Sequence, residues 1–544
     1  ASGSNPNAIP SLLIRGANTL ITNESEEGVN NPLIVLDGVE ISMEELYDLD
    51  IFDIERIDVL KDASATILYG EKGANGVIVV ERKRIGNEKV KLSYNFVPKV
   101  SYPDLSSFNL CTPAQKLELE RLAGLYDTED GSLDEAYAYK LEKIRQGVND
   151  DWLHAPLRLP FSYSHSLSLT SRGDKLSFRA SANWNDTYGV MRGDKRSSKG
   201  INFTIGYHLR DKLTLTFKSS FSMNDSKDSP YGSYSQYSKM NPYEPMFDED
   251  GNYIKTYYFN PIAQSGNADV NPLYEATLSS FKKSRSQALK NSLDGRWNIT
   301  KNLYVTGQGS INMSWGSSDS YDSPDRVTYE KTPVTERGKY SFSSRNGTTM
   351  SRVSGGSNIQ YSRNRSASGV GIGFLKDELS DLSFALNYQK NGRPSGSDNI
   401  STEVGFFANA NVGFRNRYVV DFSYRTSGSS KFGANNSFAP FWAAGAAWNL
   451  HNESFIKRAK WINTLSLRYS VGYTGSVSFD YYQAKTVYEY KSDNRYYTGI
   501  GALPKQMGNP NLKWQRTLNN NIGLTGAFLD SRLNVSLDFY SNTT

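Results

Sequence analysis

Four histidines and one cysteine are the residues most able to do chemistry in this 544-residue sequence. His154, His165, His208 and His451 show no metal-ligand or triad spacing, and a catalytic imidazole needs a positioned partner. His165 and His208 fall inside strand patterns, where a structural or pore-lining role suffices. No Ser or Cys hydrolase constellation is visible, and neither a metal nor a cofactor is expected. Phe247-Asp248-Glu249-Asp250-Gly251-Asn252 opens like a calcium loop, but Phe259 stands where such a loop requires Glu, so a hairpin turn is expected. Gly70, Gly73 and Gly76 are spaced like a phosphate cradle, yet the strand-forming Val77-Ile78-Val79-Val80 follows instead of a helix. Arg-Gly-Asp occurs at Arg172 to Asp174 and Arg192 to Asp194, both at turns between strands.

The other candidates are aromatic. Tyrosines crowd two loop segments, and Tyr231, Tyr234, Tyr237, Tyr257, Tyr258, Tyr481 and Tyr482 are the candidate ligand contacts. Flat amphipathic rings stack on sugars or touch peptides, and loops on a rigid scaffold carry function. Packing between loops, or an interfacial girdle, accounts for such rings equally well.

Lys+Arg 61 against Asp+Glu 57 leaves a net +4, without the basic footprint of a nucleic-acid binder. A single Cys111 excludes an intrachain disulfide and does not decide the compartment. No apolar run of about eighteen residues occurs, so an ordinary transmembrane helix is excluded; a membrane β-barrel needs none. Ala1 opens without signal-like regions, so any signal peptide is expected upstream or removed.

From Lys89 onward the period is two. Leu176, Phe178, Ala180, Ala182 and Trp184 interleave with Ser177, Arg179, Ser181, Asn183 and Asn185, and similar stretches recur to Leu533–Phe539. Short turns at Gly173 to Lys175, Arg210 to Lys212, Thr300 to Asn302, Arg415 to Arg417 and Asp530 to Arg532 alternate with long loops. The expected loops are Asp104 to Pro160, Asp225 to Lys283, Gly316 to Met350, Asp377 to Ser401 and Ser476 to Leu512. That asymmetry suits an outer-membrane barrel with short periplasmic turns, here with roughly fifteen strands.

Before the barrel pattern lies a compact mixed segment. Leu33 to Leu36 predicts a strand closed by Asp37-Gly38, and Ile54 to Leu60 a second strand. Asp62 is expected to cap a short helix ended by Gly70. The runs LLIRGANTL (Leu12 to Leu20), LIVLDGVE and DVLKDASATILYGEKGANGVIVV resemble the plug of SusC-like TonB-dependent outer-membrane transporters. YRTSGSSKFG, FAPFWAAGAAW, LRYSVGYTG and GNPNLKWQ, between Tyr424 and Gln515, resemble barrel motifs of the same family.

The resemblance implies an all-β transmembrane barrel, similar to the roughly 22-stranded plugged transporters, with a small α/β plug inside. Expected boundaries are 1–86 for the plug, lacking its N-terminal part and the TonB-gripped segment, and 87–544 for the barrel, about seven strands short of closure. Asp37, Gly38, Asp62, Gly70, Gly73 and Gly76 are expected to hold the plug fold. Implied is active import of a large oligosaccharide or peptide across the Gram-negative outer membrane. The implied partners are a SusD-like lid lipoprotein, TonB with its inner-membrane energising complex, and outer-membrane lipid. A siderophore or cobalamin importer, and a non-transporting adhesion or assembly scaffold, are the alternatives.

Overall fold

The computed structural model describes residues 5–10, 12, 14, 31–61, 69, 72–73, 75–86, 89–127, 133–209, 212–257, 270–300, 303–354, 356–389, 392–476, 482–497 and 499–543. Asp62, Gly70, Tyr258 and Tyr481, and the helix expected after Asp62, lie outside them.

The first unit is a four-stranded sheet of β1 (Leu33–Leu36), β2 (Val39–Ile41), β3 (Ile54–Leu60) and β4 (Val77–Arg82), in the order β2-β1-β4-β3. Asp37 and Gly38 close the β1–β2 hairpin with φ of 52° and 88°, the pair of positive values that a two-residue turn of this twist demands. The Asp37 carboxylate also accepts the Arg82 amide at 3.1 Å, tying the turn to β4. Gly76, at φ 95°, admits the chain into β4 with Ile14 close against its Cα. Gly73 accepts the Gly76 amide at 3.0 Å. Ile34, Leu36, Ile41, Ile78 and Val80 form a core belonging to this unit alone.

The second unit is one antiparallel wall. Its strands are β5 (Val90–Val100), β6 (Phe161–Arg172), β7 (Leu176–Tyr188), β8 (Lys195–Leu209), β9 (Leu213–Lys227), β10 (Phe281–Asn298), β11 (Tyr304–Asp322), β12 (Lys339–Ser354) and β13 (Ser357–Ile372). The two-residue β14 (Asn387–Tyr388) pairs beside β13. There follow β15 (Ser395–Phe414), β16 (Tyr418–Ser429), β17 (Phe438–Trp448), β18 (Ile462–Ser476), β21 (Gln515–Phe528) and β22 (Leu533–Thr543); β19 (Val487–Tyr496) and β20 (Gly499–Gln506) pair as a separate hairpin. Each wall strand joins its sequence neighbour, except where β15 follows β13 and β21 follows β18. No helix among the described residues is long and apolar enough to cross a membrane.

Side-chain alternation sorts the wall into two faces. Leu176, Trp184, Ile201, Phe203, Phe217, Phe221, Leu293 and Trp297 are exposed on the outer face, while Ser181, Arg196, Ser198, Ser292 and Ser310 are buried on the inner one. The first unit sits against that inner face.

The loops differ from expectation in two ways. Gly316 to Met350 is largely strand: β11 runs on to Asp322 and β12 begins at Lys339. The segment WGSSDSYD lacks apolar alternation because its backbone ladder persists beyond the apolar belt. Likewise β9 and β10 run into the ends of Asp225 to Lys283, β15 starts at Ser395 within Asp377 to Ser401, and Ser476 to Leu512 contains the β19–β20 hairpin. Asp104 to Pro160 holds two helices, Pro113–Leu122 and Asp134–Arg145.

Candidate ligand chamber and plug seam

Between the small unit and the wall runs a polar seam. Ser42 caps the helix Met43–Tyr47 in a capping box with Glu45, so Glu44, Glu45 and Asp48 project from one short turn of backbone. Arg196 on β8 meets them, its Nε donating to Asp48 at 2.9 Å and a terminal nitrogen to Glu44 at 3.0 Å. Lys290 on β10 donates to Glu45 at 2.6 Å. Asp53, buried at the end of the next turn, accepts from Arg179, from Ser181 at 2.8 Å and from Asn202 at 3.3 Å. Ser166 donates to Asp50, and Gln308 on β11 donates to the Asp37 carbonyl at 3.1 Å. The donors therefore come from β6, β7, β8, β10 and β11, whose inner faces are arginine, lysine and small polar residues. Acids lie on the small unit and bases on the wall.

At the long-loop end the wall carries a second layer. Trp152, Leu157, Val190, Met191, Tyr237, Tyr257 and Leu273 form one core drawn from three connections. Glu120, on the helix Pro113–Leu122, is buried at the hub beside it. It accepts from Tyr126 at 2.5 Å, Tyr243 at 2.7 Å and Lys140 at 3.3 Å. Burial would raise its pKa, but the two hydroxyl bonds and the charges of Lys140 and Lys116 outweigh that and hold it below the usual carboxylate range. Asp194, in the β7–β8 connection, shows the opposite balance. Burial pushes it up to about 6 although it accepts the Ser229 amide at 2.6 Å.

Asn7 of the small unit reaches this layer, donating to the Lys227 carbonyl and the Asp228 carboxylate, each at 2.9 Å. Among the β9–β10 and β11–β12 connections a cavity of ≈ 710 Å³ opens, lined by Tyr231, Gln236, Lys239, Glu244, Tyr321 and Arg326 among others.

Residues 1–77 match the TonB-dependent Receptor Plug Domain family. The TonB-dependent receptor SusC of Bacteroides thetaiotaomicron is 25% identical over 98% of this chain and 55% of its own length. TonB-dependent receptor P26 of Formosa agariphila is 24% identical over 99% and 54%. The structure of the RagAB peptide transporter superposes with a TM-score of 0.77 at 21% identity, covering 99% of this chain and 64% of that one. Over nearly its whole length the chain is similar to SusC and other TonB-dependent receptors. It spans about half the length of the curated relatives it matches.

The small unit falls mostly within the residues that match the plug family, and Asp37 and Gly38 face the wall. A Cβ on Gly38 would stand 2.8 Å from the Gln308 side chain, so the turn needs glycine for close approach as well as for φ. The candidate tyrosines divide. Tyr231 lines the cavity; Tyr234 packs edge-on against Phe108. Tyr237 and Tyr257 are buried inside the layer's core, where Tyr257 donates to the Pro245 carbonyl at 2.7 Å. They build the loop layer and present no free ring face. Tyr482 bonds the backbone of β15 through Ile400 and Asp398.

Phe247 to Asn252 forms a hairpin turn with Asp248 accepting the Asn252 amide at 2.8 Å, and no cluster of metal-ligating residues occurs among the described residues. The barrel motifs converge: Phe432 stacks on Trp514 at 4.1 Å, and Phe441 meets it edge-on.

Sequence reasoning missed the seam bases and Glu120. A signal did exist for Arg179, a charged residue in the inward phase of an alternating strand. Glu120 carried none, because its partners lie on other segments.

Proposed function

We propose that the full receptor imports a large nutrient, an oligosaccharide or a peptide, across the Gram-negative outer membrane, driven by TonB and assisted by a SusD-like surface lipoprotein. The observation that carries this reading is the plug seam. The plug has a complete hydrophobic core of its own and meets the wall mainly through hydrogen bonds and ion pairs, so it can shift as a unit once those bonds exchange with water. A permanent structural insert would share a continuous apolar core with its wall.

Asn7 supplies a link from plug to loop layer through Lys227 and Asp228, next to Ser229 and Pro230 of the cavity lining, so a ligand there would bias the plug. Such a ligand must bind the two plug positions differentially to report its presence. SusC among the curated relatives and the RagAB peptide transporter among solved structures support the importer over a scaffold.

Native mass spectrometry of the full-length receptor, extracted gently from its outer membrane, tests the proposal. A co-purifying surface lipoprotein with oligosaccharide or peptide supports it and identifies the substrate class. A bare barrel, or one bound only to assembly factors, contradicts it.

A further inference from the structure

We propose that the outer face of β8, β9 and β10, at their long-loop ends, binds the phosphate group of a membrane lipid on Lys227 and Lys283. The proposal rests on the barrel reading, which places this face toward lipid.

The register carries the argument. Lys195 pairs directly with Lys227, and Lys227 with Lys283, so three lysines occupy neighbouring register positions across three strands. Like charges directly opposite one another in a sheet are destabilising unless something neutralises them. All three share the outward phase, since Arg196 and Lys290, one residue out of phase, point into the seam.

Internal acids answer only part of this charge. Asp186 lies 3.5 Å from Lys195, and Asp225 lies 2.5 Å from Arg285. Asp319 is the register partner of Lys283 and makes no ion pair with it. Among the described residues no acid lies within ion-pair distance of Lys199, Lys227 or Lys283. Lys283 stands over the Phe281 ring at 4.6 Å, and Lys199 over Trp184 at 5.6 Å.

What lies below selects the kind of anion. Going toward the middle of the wall, the lysine row gives way to a mixed row of Asp186, Ser197, Asp225 and Arg285. Next comes a row holding Trp184, Lys199 and Trp315, and then Ile201, Phe221, Leu289 and Met313. Cations above, indoles at the boundary and aliphatic side chains beneath match the order of phosphate, interface and acyl chain in a lipid leaflet. A soluble anion would satisfy the lysines and leave the apolar rows unused. A lipid phosphate satisfies both.

The test places the full-length receptor in phosphatidylcholine nanodiscs doped with dioleoyl phosphatidic acid, or with dioleoylglycerol, which has the same chains and no phosphate. Lipids retained on release are counted by native mass spectrometry, with and without inorganic phosphate as competitor. Phosphatidic acid is retained, dioleoylglycerol is not, and inorganic phosphate does not displace the lipid. The double variant Lys227→Ala, Lys283→Ala loses roughly tenfold in retention, whereas the corresponding arginine variant keeps it.

Equal retention by the alanine variant, or of dioleoylglycerol, overturns the site. Full displacement by inorganic phosphate reassigns it to a soluble anion and overturns it too. Wild-type protein that fails to enter the bilayer removes the barrel reading itself, and the site with it.

Discussion

The plug seam and the loop layer use the same chemistry for different ends. In each, carboxylates meet cations away from bulk water. At the seam, Asp48, Glu44 and Glu45 face Arg196 and Lys290 across a boundary between two bodies, one of which keeps its own apolar core. In the loop layer, Glu120 sits inside one body, roofed by Tyr126 and Tyr243 and continuous with the aromatic packing around it. An ion pair therefore anchors or releases according to what surrounds it: apolar neighbours that must part together make an anchor, and a polar boundary makes a latch.

The sharpest way to break the comparison is at Glu120. Glu120→Ala leaves Lys140 buried without its acid, and local stability of the loop layer falls by about 3–5 kcal/mol. Hydrogen exchange over Pro113–Leu122 and Asp134–Arg145 reads this, with plug exchange unchanged. Exchange spreading into the plug would mean that the two regions are one cooperative unit.

Arg196→Ala is the matching cut at the seam. It strips Asp48 and Glu44 of their shared base, and exchange of Met43–Tyr47 rises by an amount worth about 2–4 kcal/mol while β1 and β4 stay protected. Loss of protection in β1 and β4 as well would show that the plug core depends on the wall.

pH separates the regions further. The native pKa of Asp194, about 6, lies above its unfolded value, so its contribution is complete at low pH and is lost as pH rises through about 6. Glu120 has a depressed native pKa, so its contribution holds above the ordinary carboxylate range and is lost as pH falls below it. Asp194→Asn stays neutral; opening of the β7–β8 connection, followed by exchange, becomes flat across pH 6 and protection above it rises by about 1–2 kcal/mol. An unaltered pH profile would show that another group titrates there.

The smallest expected effect is at Tyr237, whose buried hydroxyl has no hydrogen-bond partner among the described residues. Tyr237→Phe raises loop-layer stability by about 1 kcal/mol in thermal or exchange measurements, because it removes an unsatisfied polar group and keeps the ring. A loss of stability would reveal a bond to the hydroxyl.

Local features were legible in the sequence and long-range ones were not. The Asp37-Gly38 hairpin, the strands at Leu33, Ile54 and Val77, and the short turns at Gly173 to Lys175, Arg415 to Arg417 and Asp530 to Arg532 could be read because each depends on residues within a few positions. The inward phase of Arg179 was legible too, but its partner Asp53 lies 126 residues away, and nothing local links them. Polar strand ends such as WGSSDSYD read as loop because burial, which writes alternation into a sequence, stops before the hydrogen-bond ladder does. Tyr237 and Tyr257 misled for a related reason: a tyrosine that packs a loop and one that meets a ligand look alike until their neighbours are known.

The releasable seam is tested most directly by single-molecule pulling on the plug of the full-length receptor in a bilayer, comparing wild type with Arg196→Ala. The extraction force should fall in the variant while wall strands such as β10 and β11 stay paired afterward. An unchanged force, or wall strands unzipping with the plug, would contradict the latch and make the plug a fixed part of the barrel.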